Sequence, residues 1–475
     1  MFAARLQSPR SLLGFAAFGL AAAFAILVGL AIGAHDQMLQ ILVAAIVGAA
    51  GLFAGCLRPR LFFWMLLGTS ITLPFLPITE TRAANPVDLL LLPTLIGAWL
   101  TRPASMRDAR VDAGVAREGR SLKRATFAYY GVSLLSLLVL ALRGFPQHAG
   151  DSLLIVIRGV QGILFFPLVL LMVRDARDLR HVRTAIVVAF LLSTAVNSFG
   201  IAALGVVRAG AGWSVAVGDY FISSPNEAGF GVVFLWAIVL AFPFRRGPMI
   251  ALLILSLVFL AATTSRSGVL AWFTFVVVWA IARRKGWLLL IPLAVLASFP
   301  FLPEAWTGKF VRTLLLQRGS FEIYSSMIRI YAWHTAVRMF LHFPILGVGF
   351  LGFRFFSYQF NDLTLNLGTA ENFLLETAAG MGILGVAAVV WVGAALTGLV
   401  RAVRAASAPG SPAARLAELS GPFLVSVVVA NATGDNLIGI MGLTQLAVFA
   451  ALLIAASRVD AGGGTDPAEP TPRAA

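Results

Sequence analysis

The sequence predicts an all-α, polytopic integral membrane protein with about 12–14 spanning helices and one large helical loop on the side away from the cytoplasm. Three observations predict it. Of the 475 residues, 59% are hydrophobic and only 12% charged, where soluble domains carry roughly 25% charged residues. The mean hydropathy is correspondingly high, at +0.90. Apolar runs recur near 11–34, 38–57, 61–78, 86–100, 125–142, 152–173, 184–206, 226–244, 249–264, 268–282, 287–302, 373–398, 421–436 and 438–457. Crossing ~30 Å of hydrocarbon takes about 20 apolar residues. Several runs fall short of that, so those around 249–282 and 421–457 read as tilted hairpins or half-spanning pairs.

Charge placement sets the orientation. With the amino terminus in the cytoplasm and the runs alternating, 25 of the 36 Lys and Arg fall inside, 10 outside, and Arg158 within a span. Inside are Arg58 and Arg60, the stretch 101–124, Arg174 to Arg183, Arg245 and Arg246, Arg283 to Lys285, and Arg401 to Arg415. Such a skew is what the positive-inside bias produces in short loops. Both termini are then cytoplasmic, and the whole chain, 1–475, is one transmembrane domain. Within it, 101–124 reads as a solvated basic loop whose charge serves topology, and 460–475 as a disordered Gly/Pro/Ala-rich tail. The run after Arg5 and Arg10 is longer than a signal-peptide core and is followed at once by another, so it reads as a retained helix.

Composition also excludes. A formal charge of +15 in a soluble protein would suggest nucleic acid, but here the charges sit between apolar runs. Cys56 is the sole cysteine and five histidines are dispersed, so neither a disulfide framework nor a metal site is expected.

The longest outer segment is 303–370. Its centre, 325–343, reads as a helix capped by Ser325 or Ser326 and stopped by Pro344, buried or lying at the interface. PILGVGF follows as a tight glycine turn, then the aromatic FLGFRFFSYQF, which suits the headgroup layer.

Topology explains the inside arginines and leaves Arg82, Arg143, Arg208, Arg266, Arg312, Arg318, Arg329, Arg338, Arg354 and Lys309 outside. A shared reason for them is an anionic ligand at the outer leaflet, because guanidinium forks match phosphate oxygens. Arg266, in TTSRSG between two short runs, either points into a protein cavity or snorkels at two helix ends. Arg158, inside a span, is costly there and marks either a functional site or a packing pair. Arg329 and Trp333 are four apart on the loop helix and share a face; Arg338, nine beyond Arg329, reads as back near that face or as a solvated arginine. In TAENFLLE, Glu371 and Asn372 stand where the loop re-enters the membrane. Glu371 is either a general base or a helix-start charge favoured by the dipole. Glu376 lies about a turn deeper. Asp435 and Asn436 in ATGDN line the site or turn the chain, and Asn226 and Glu227 begin a helix after Pro225 on the same outer side.

In this order the residues resemble the O-antigen ligase and O-antigen polymerase superfamily of bacterial membrane glycosyltransferases, over roughly 150–440. The resemblance comprises SSPNEAGF, TTSRSG, R-x-x-x-W at Arg329 and Trp333, M-x-x-x-x-P-x-x-G-x-G from Met339 to Gly349, and A-E-N-x-x-L-E from Ala370 to Glu376. It implies transfer of a glycan from undecaprenyl diphosphate to an acceptor hydroxyl on a glycan, lipid A or protein, at the periplasmic face of the inner membrane. Neither a metal nor another cofactor is implied, and membrane lipids surround the site. Catalysis would then fall to Glu371, Arg266 and Arg329, and substrate binding to Arg158, Arg338, Asn226, Trp333 and Asn372. Ligases of the superfamily usually carry histidine where this chain has Glu371, a departure that favours an exopolysaccharide or O-antigen polymerase over a lipid A ligase. A secondary transporter or lipid-linked glycan flippase is the alternative; it needs midplane carboxylates, for which only Glu376 and Asp435 qualify, and repeated halves, which the sequence lacks. A non-catalytic scaffold is the third reading.

Overall fold

The structure is a computed structural model describing residues 57–68, 76–79, 82–84, 86–101, 111–204, 225–242, 245–263, 265–298, 321–362, 367–434, 437 and 440–462. In chain order these form α1 (Pro59–Gly68), β1 (Leu76–Thr79), β2 (Arg82–Ala84), α2 (Pro86–Leu100), α3 (Ala113–Leu142), α4 (Pro146–Met172) and α5 (Ala176–Leu204). There follow α6 (Pro225–Ala241), α7 (Arg246–Thr263), α8 (Arg266–Ala282), α9 (Leu290–Ser298), α10 (Phe321–His342), α11 (Phe353–Phe360), α12 (Phe373–Ala406), α13 (Pro412–Ala432) and α14 (Ile440–Ala461). This is an all-α polytopic membrane architecture. Among the described residues five helical stretches are long and apolar enough to cross a membrane: Ala113–Leu142, His148–Met172, Phe373–Ala406, Pro412–Ala432 and Gly442–Ala461. Leu134, Leu135 and Leu138 on α3, Leu153 and Ile157 on α4, and Ile383 and Val390 on α12 are exposed. A water-soluble surface would not tolerate that belt, and lipid requires it.

The first two apolar runs, save Leu57, lie outside the described residues, as do Lys309, Arg312, Arg318 and Arg208. Three expectations shift. The run 61–78 is not one helix: α1 covers Pro59–Gly68, whereas Leu76–Thr79 is a strand that pairs antiparallel with Arg82–Ala84, Leu76 opposite Ala84 and Thr79 opposite Arg82. Pro74 and Pro77 would each remove a helical hydrogen bond there. The stretch 101–124 is not all loop. α3 starts at Ala113, where the Asp112 carboxylate accepts from the N–H groups of Gly114 and Val115 at 2.8 and 3.2 Å, and buried Val115, Leu122 and Ala125 carry its basic turns against the bundle. The tail likewise begins later than 460, because α14 runs to Ala461.

The site-bearing helices are organised by α3 and α12, which run antiparallel. A Cβ on Gly114 would reach the Ala402 Cβ, and one on Gly398 the Glu118 carboxylate. Further along, the Ser133 hydroxyl meets the Met381 sulfur at 3.2 Å. Near this end α12 is interrupted: Gly382 has φ 63 and ψ −158 inside it. A broken helix in hydrocarbon exposes backbone groups that water cannot satisfy. Here the PILGVG turn satisfies them. Val348 and Gly349 donate to the carbonyls of Ala379 and Gly380, each at 2.9 Å, and Ile383 donates to Pro344 at 2.7 Å. The Ser136 hydroxyl adds a 2.7 Å bond to the Gly380 carbonyl. Ser136 is six residues before Leu142, the last residue of α3, so the turn is seated about 9 Å below that helix end, at 1.5 Å per residue. The glycine turn is therefore set back from the end of α3 and fills the break in α12.

Candidate functional site

The site gathers where α8, α10 and the start of α12 meet. α8 begins at Arg266, behind Ser265, whose hydroxyl caps the helix by accepting the Gly268 N–H at 3.0 Å. Gly268 packs directly on Gly229 of α6: a Cβ on either would lie 2.7 Å from the other's Cα. Two helix N-termini are thereby brought side by side, and their dipoles add positive potential beside Arg266. Glycine is required at both positions because any side chain would wedge the helices apart.

α10 brings the next two elements. It begins at Phe321, four residues earlier than the sequence suggests, and ends at His342 before Pro344. Ser326 thus lies inside the helix rather than capping it, and its hydroxyl accepts a hydrogen bond from Arg266 Nη1 at 3.2 Å. Ser326, Arg329 and Trp333 follow one another at spacings of three and four, along one edge of the helix. The adjoining face, with Ala332, Ala336 and Met339 fully buried, packs in a cluster with Tyr130, Leu137 and Leu140 of α3 and Val156 of α4.

The third element is the corner before α12. Glu371 forms an ion pair with Arg329 through Oε2 and Nη2. Its backbone is left-handed, with φ 47, a conformation that costs a non-glycine residue about 1–2 kcal/mol and that concentrates at functional sites. Asn372 does two jobs. Its carbonyl oxygen accepts from the N–H groups of Leu374 and Leu375, capping α12, and its amide donates to the Ala432 carbonyl at 3.0 Å. Phe373 N–H reaches the Gly434 carbonyl at 3.2 Å, so the corner is sewn to the end of α13.

Two donors at this meeting point lack acceptors. Among the described residues the Arg329 Nε and the Trp333 indole nitrogen are buried with no hydrogen-bond partner. Buried N–H groups are nearly always satisfied, so a pair of them four residues apart, beside an arginine ion pair, points to an anionic or polar ligand that supplies the oxygens. We expect Trp333→Phe, which keeps the ring and deletes the N–H, to weaken binding of an anion at this site by about 3- to 10-fold, the worth of one hydrogen bond; calorimetric titration with inorganic pyrophosphate measures it.

Of the residues singled out from the sequence, the structure thus joins Arg266, Arg329, Trp333, Glu371 and Asn372 in one region. Arg338 does not join them. Nine residues at about 100° each amount to two and a half turns, which ends on the far side of the helix, and there Arg338 pairs with Asp362 at 2.8 Å on an exposed surface. Hydrogen bonding from Arg338 holds the Asp362 carboxyl below its usual range. We expect Arg338→Ala to leave pyrophosphate affinity within about 3-fold of wild type in the same titration, since an exposed pair of this kind contributes little. Arg158 is half-buried in α4, the twelfth residue after Pro146. The side chain of Asn226, at the start of α6, lies outside the described residues, as do Asp435 and Asn436. Among the described residues no group of three His, Cys, Asp or Glu side chains could hold a metal ion. Sequence reasoning missed Ser326 as the link between two arginines; the signal available was its place three residues before Arg329.

A family model described as O-antigen ligase matches residues 251–390, the stretch from α7 into α12 that holds Arg266, Ser326, Arg329, Trp333 and Glu371. No curated protein matches the chain.

Proposed function

We propose, from the match of residues 251–390 to the O-antigen ligase family model, that this protein transfers a glycan from undecaprenyl diphosphate to an acceptor hydroxyl. It would do so at the periplasmic face of a bacterial inner membrane, in surface-polysaccharide assembly. The observation that carries the reading is the Arg329–Glu371 ion pair flanked by the unmatched N–H groups of Arg329 and Trp333. A leaving diphosphate has the chemistry such a group of donors recognises: several acceptor oxygens that a planar guanidinium can bond in pairs, high charge, and charge that grows as the bond breaks.

In the proposed step the acceptor oxygen attacks the anomeric carbon of the donor sugar. The new C–O bond forms as the bond from that carbon to the diphosphate oxygen breaks, and the electron pair leaves with the lipid diphosphate. Arg329, with its Nε–H, and Trp333 bind diphosphate oxygens, and Arg266, positioned through Ser326, adds a second guanidinium. Fixed donors of this kind stabilise the developing charge more than the ground state. Glu371 takes the acceptor's proton. Its Oε2 faces Arg329, which leaves Oε1 for the hydroxyl, so one carboxylate aligns the cation and receives the proton. Glutamate at this position also suits a polymerase, whose acceptor is another lipid-linked glycan, over a lipid A ligase.

The transporter alternative needs a titrating carboxylate free to move. Glu376, its described candidate, is 5% exposed and bonded to the Ala370 N–H, which favours the transferase. The test is incubation of purified protein with a lipid-linked oligosaccharide. Longer lipid-linked products support the polymerase form and transfer to lipid A or protein the ligase form; absence of any transfer removes the reading.

A further inference from the structure

We infer that Glu376 is a positioning residue for Glu371, acting through the backbone of the corner rather than on substrate. The inference rests on the transferase reading, since it explains how that same site is held. A left-handed glutamate persists only where its surroundings over-determine it. Two side chains do so here. The Thr369 hydroxyl accepts the Glu371 N–H at 2.8 Å, and Glu376 Oε2 accepts the Ala370 N–H, also at 2.8 Å. Asn372 and Phe373 fix the far side of the corner to α13.

Glu376 stands out because of where it lies. It is 5% exposed, about one helical turn below Glu371, beside a narrow cavity that Tyr129, Phe350 and Met381 also line. Burying a carboxylate among such groups is costly unless it is hydrogen-bonded, and this one is bonded to the residue preceding Glu371. Ala370 is itself fully buried, so its N–H has no water to turn to when the carboxylate is removed. The corner would then relax toward an ordinary backbone conformation and carry the Glu371 carboxylate away from Arg329. A shift of about 1 Å in a reacting group can cost on the order of 100-fold in rate.

The experiment compares wild type, Glu376→Ala, Glu376→Gln and Thr369→Val for transfer from a lipid-linked oligosaccharide and for amide hydrogen exchange over residues 367–375. In Glu376→Ala we expect kcat to fall about 10- to 100-fold with the donor KM within about 3-fold, and exchange at the Ala370 amide to rise. Glu376→Gln keeps an acceptor oxygen, so it should restore both the rate and the protection. Thr369→Val, at a half-buried position, should lower kcat in the same manner, and it carries the test should Glu376→Ala fail to fold. Unchanged kcat in Glu376→Ala or Thr369→Val overturns the inference. So does a Gln variant as impaired as the Ala variant, which would mean that the charge of Glu376, not its hydrogen bond, is what matters. Lack of transfer by wild type would instead sink the transferase reading, while the exchange data would still decide whether Glu376 holds the corner.

Discussion

Arg329→Ala is expected to lower kcat/KM for glycan transfer by about 100- to 1,000-fold, the usual consequence of deleting one preorganised charge-stabilising group. Two losses combine in that single change. The guanidinium goes, with both its Nη2 contact to Glu371 and its buried Nε–H, and the Glu371 carboxylate is left beside an empty space. Arg329→Lys should recover little of the activity, because an ammonium is a point charge that cannot hold a carboxylate on one edge and present a planar N–H to a phosphate on another. Initial rates with purified, folded variants measure both, alongside Glu371→Gln, which keeps the shape and removes the proton acceptor. Wild-type rates for Arg329→Ala would dissolve the proposed site, leaving the fold untouched.

The second large effect is on the fold. Gly347→Ala is expected to destabilise the protein by more than about 3 kcal/mol, combining overpacking with unmatched backbone groups. Gly347 has φ 66, and a Cβ placed on it would lie 2.3 Å from the Gly380 carbonyl carbon and 2.5 Å from the Ala379 oxygen. Backbone cannot move aside as a side chain can. The PILGVG turn would be forced out of the break in α12, and the carbonyls of Ala379 and Gly380 and the N–H of Ile383 would lose the partners they now have. In lipid no water replaces them. Thermal unfolding in detergent, followed by size-exclusion chromatography, should show a lower midpoint or an aggregated protein. A midpoint equal to that of wild type would mean the turn is not seated in the helix break.

How far the site was legible depends on how local each feature is. Arg329 and Trp333 could be paired by eye, because four residues on a helix share a face whatever surrounds them. Arg338 shows the limit of the same arithmetic: two and a half turns place it opposite Arg329, where Asp362 meets it. Arg266 stood out as a cation between two apolar runs, yet its partner, Ser326, is 60 residues away and reads in sequence as a helix cap. The glycines at 380 and 382 gave a visible cue in AAGMGILG, but apolar composition on both sides reads as one uninterrupted span. Only the first residues of β1 fall in an apolar run, 61–78, where Pro74 and Pro77 are the cue against one long helix.

Taken alone, the sequence determined that this is an all-α membrane protein, where most described helices lie, and which segment holds the outer-side arginines. Those follow from composition and from periods of 3.6 residues, which depend on near neighbours. The tertiary structure alone decided that Glu371 meets Arg329, that Arg266 reaches α10 through Ser326, and that the glycine turn closes the gap in α12. Each of these joins segments of chain distant in sequence, and what selects them is the need to satisfy charge and backbone polarity where water is scarce.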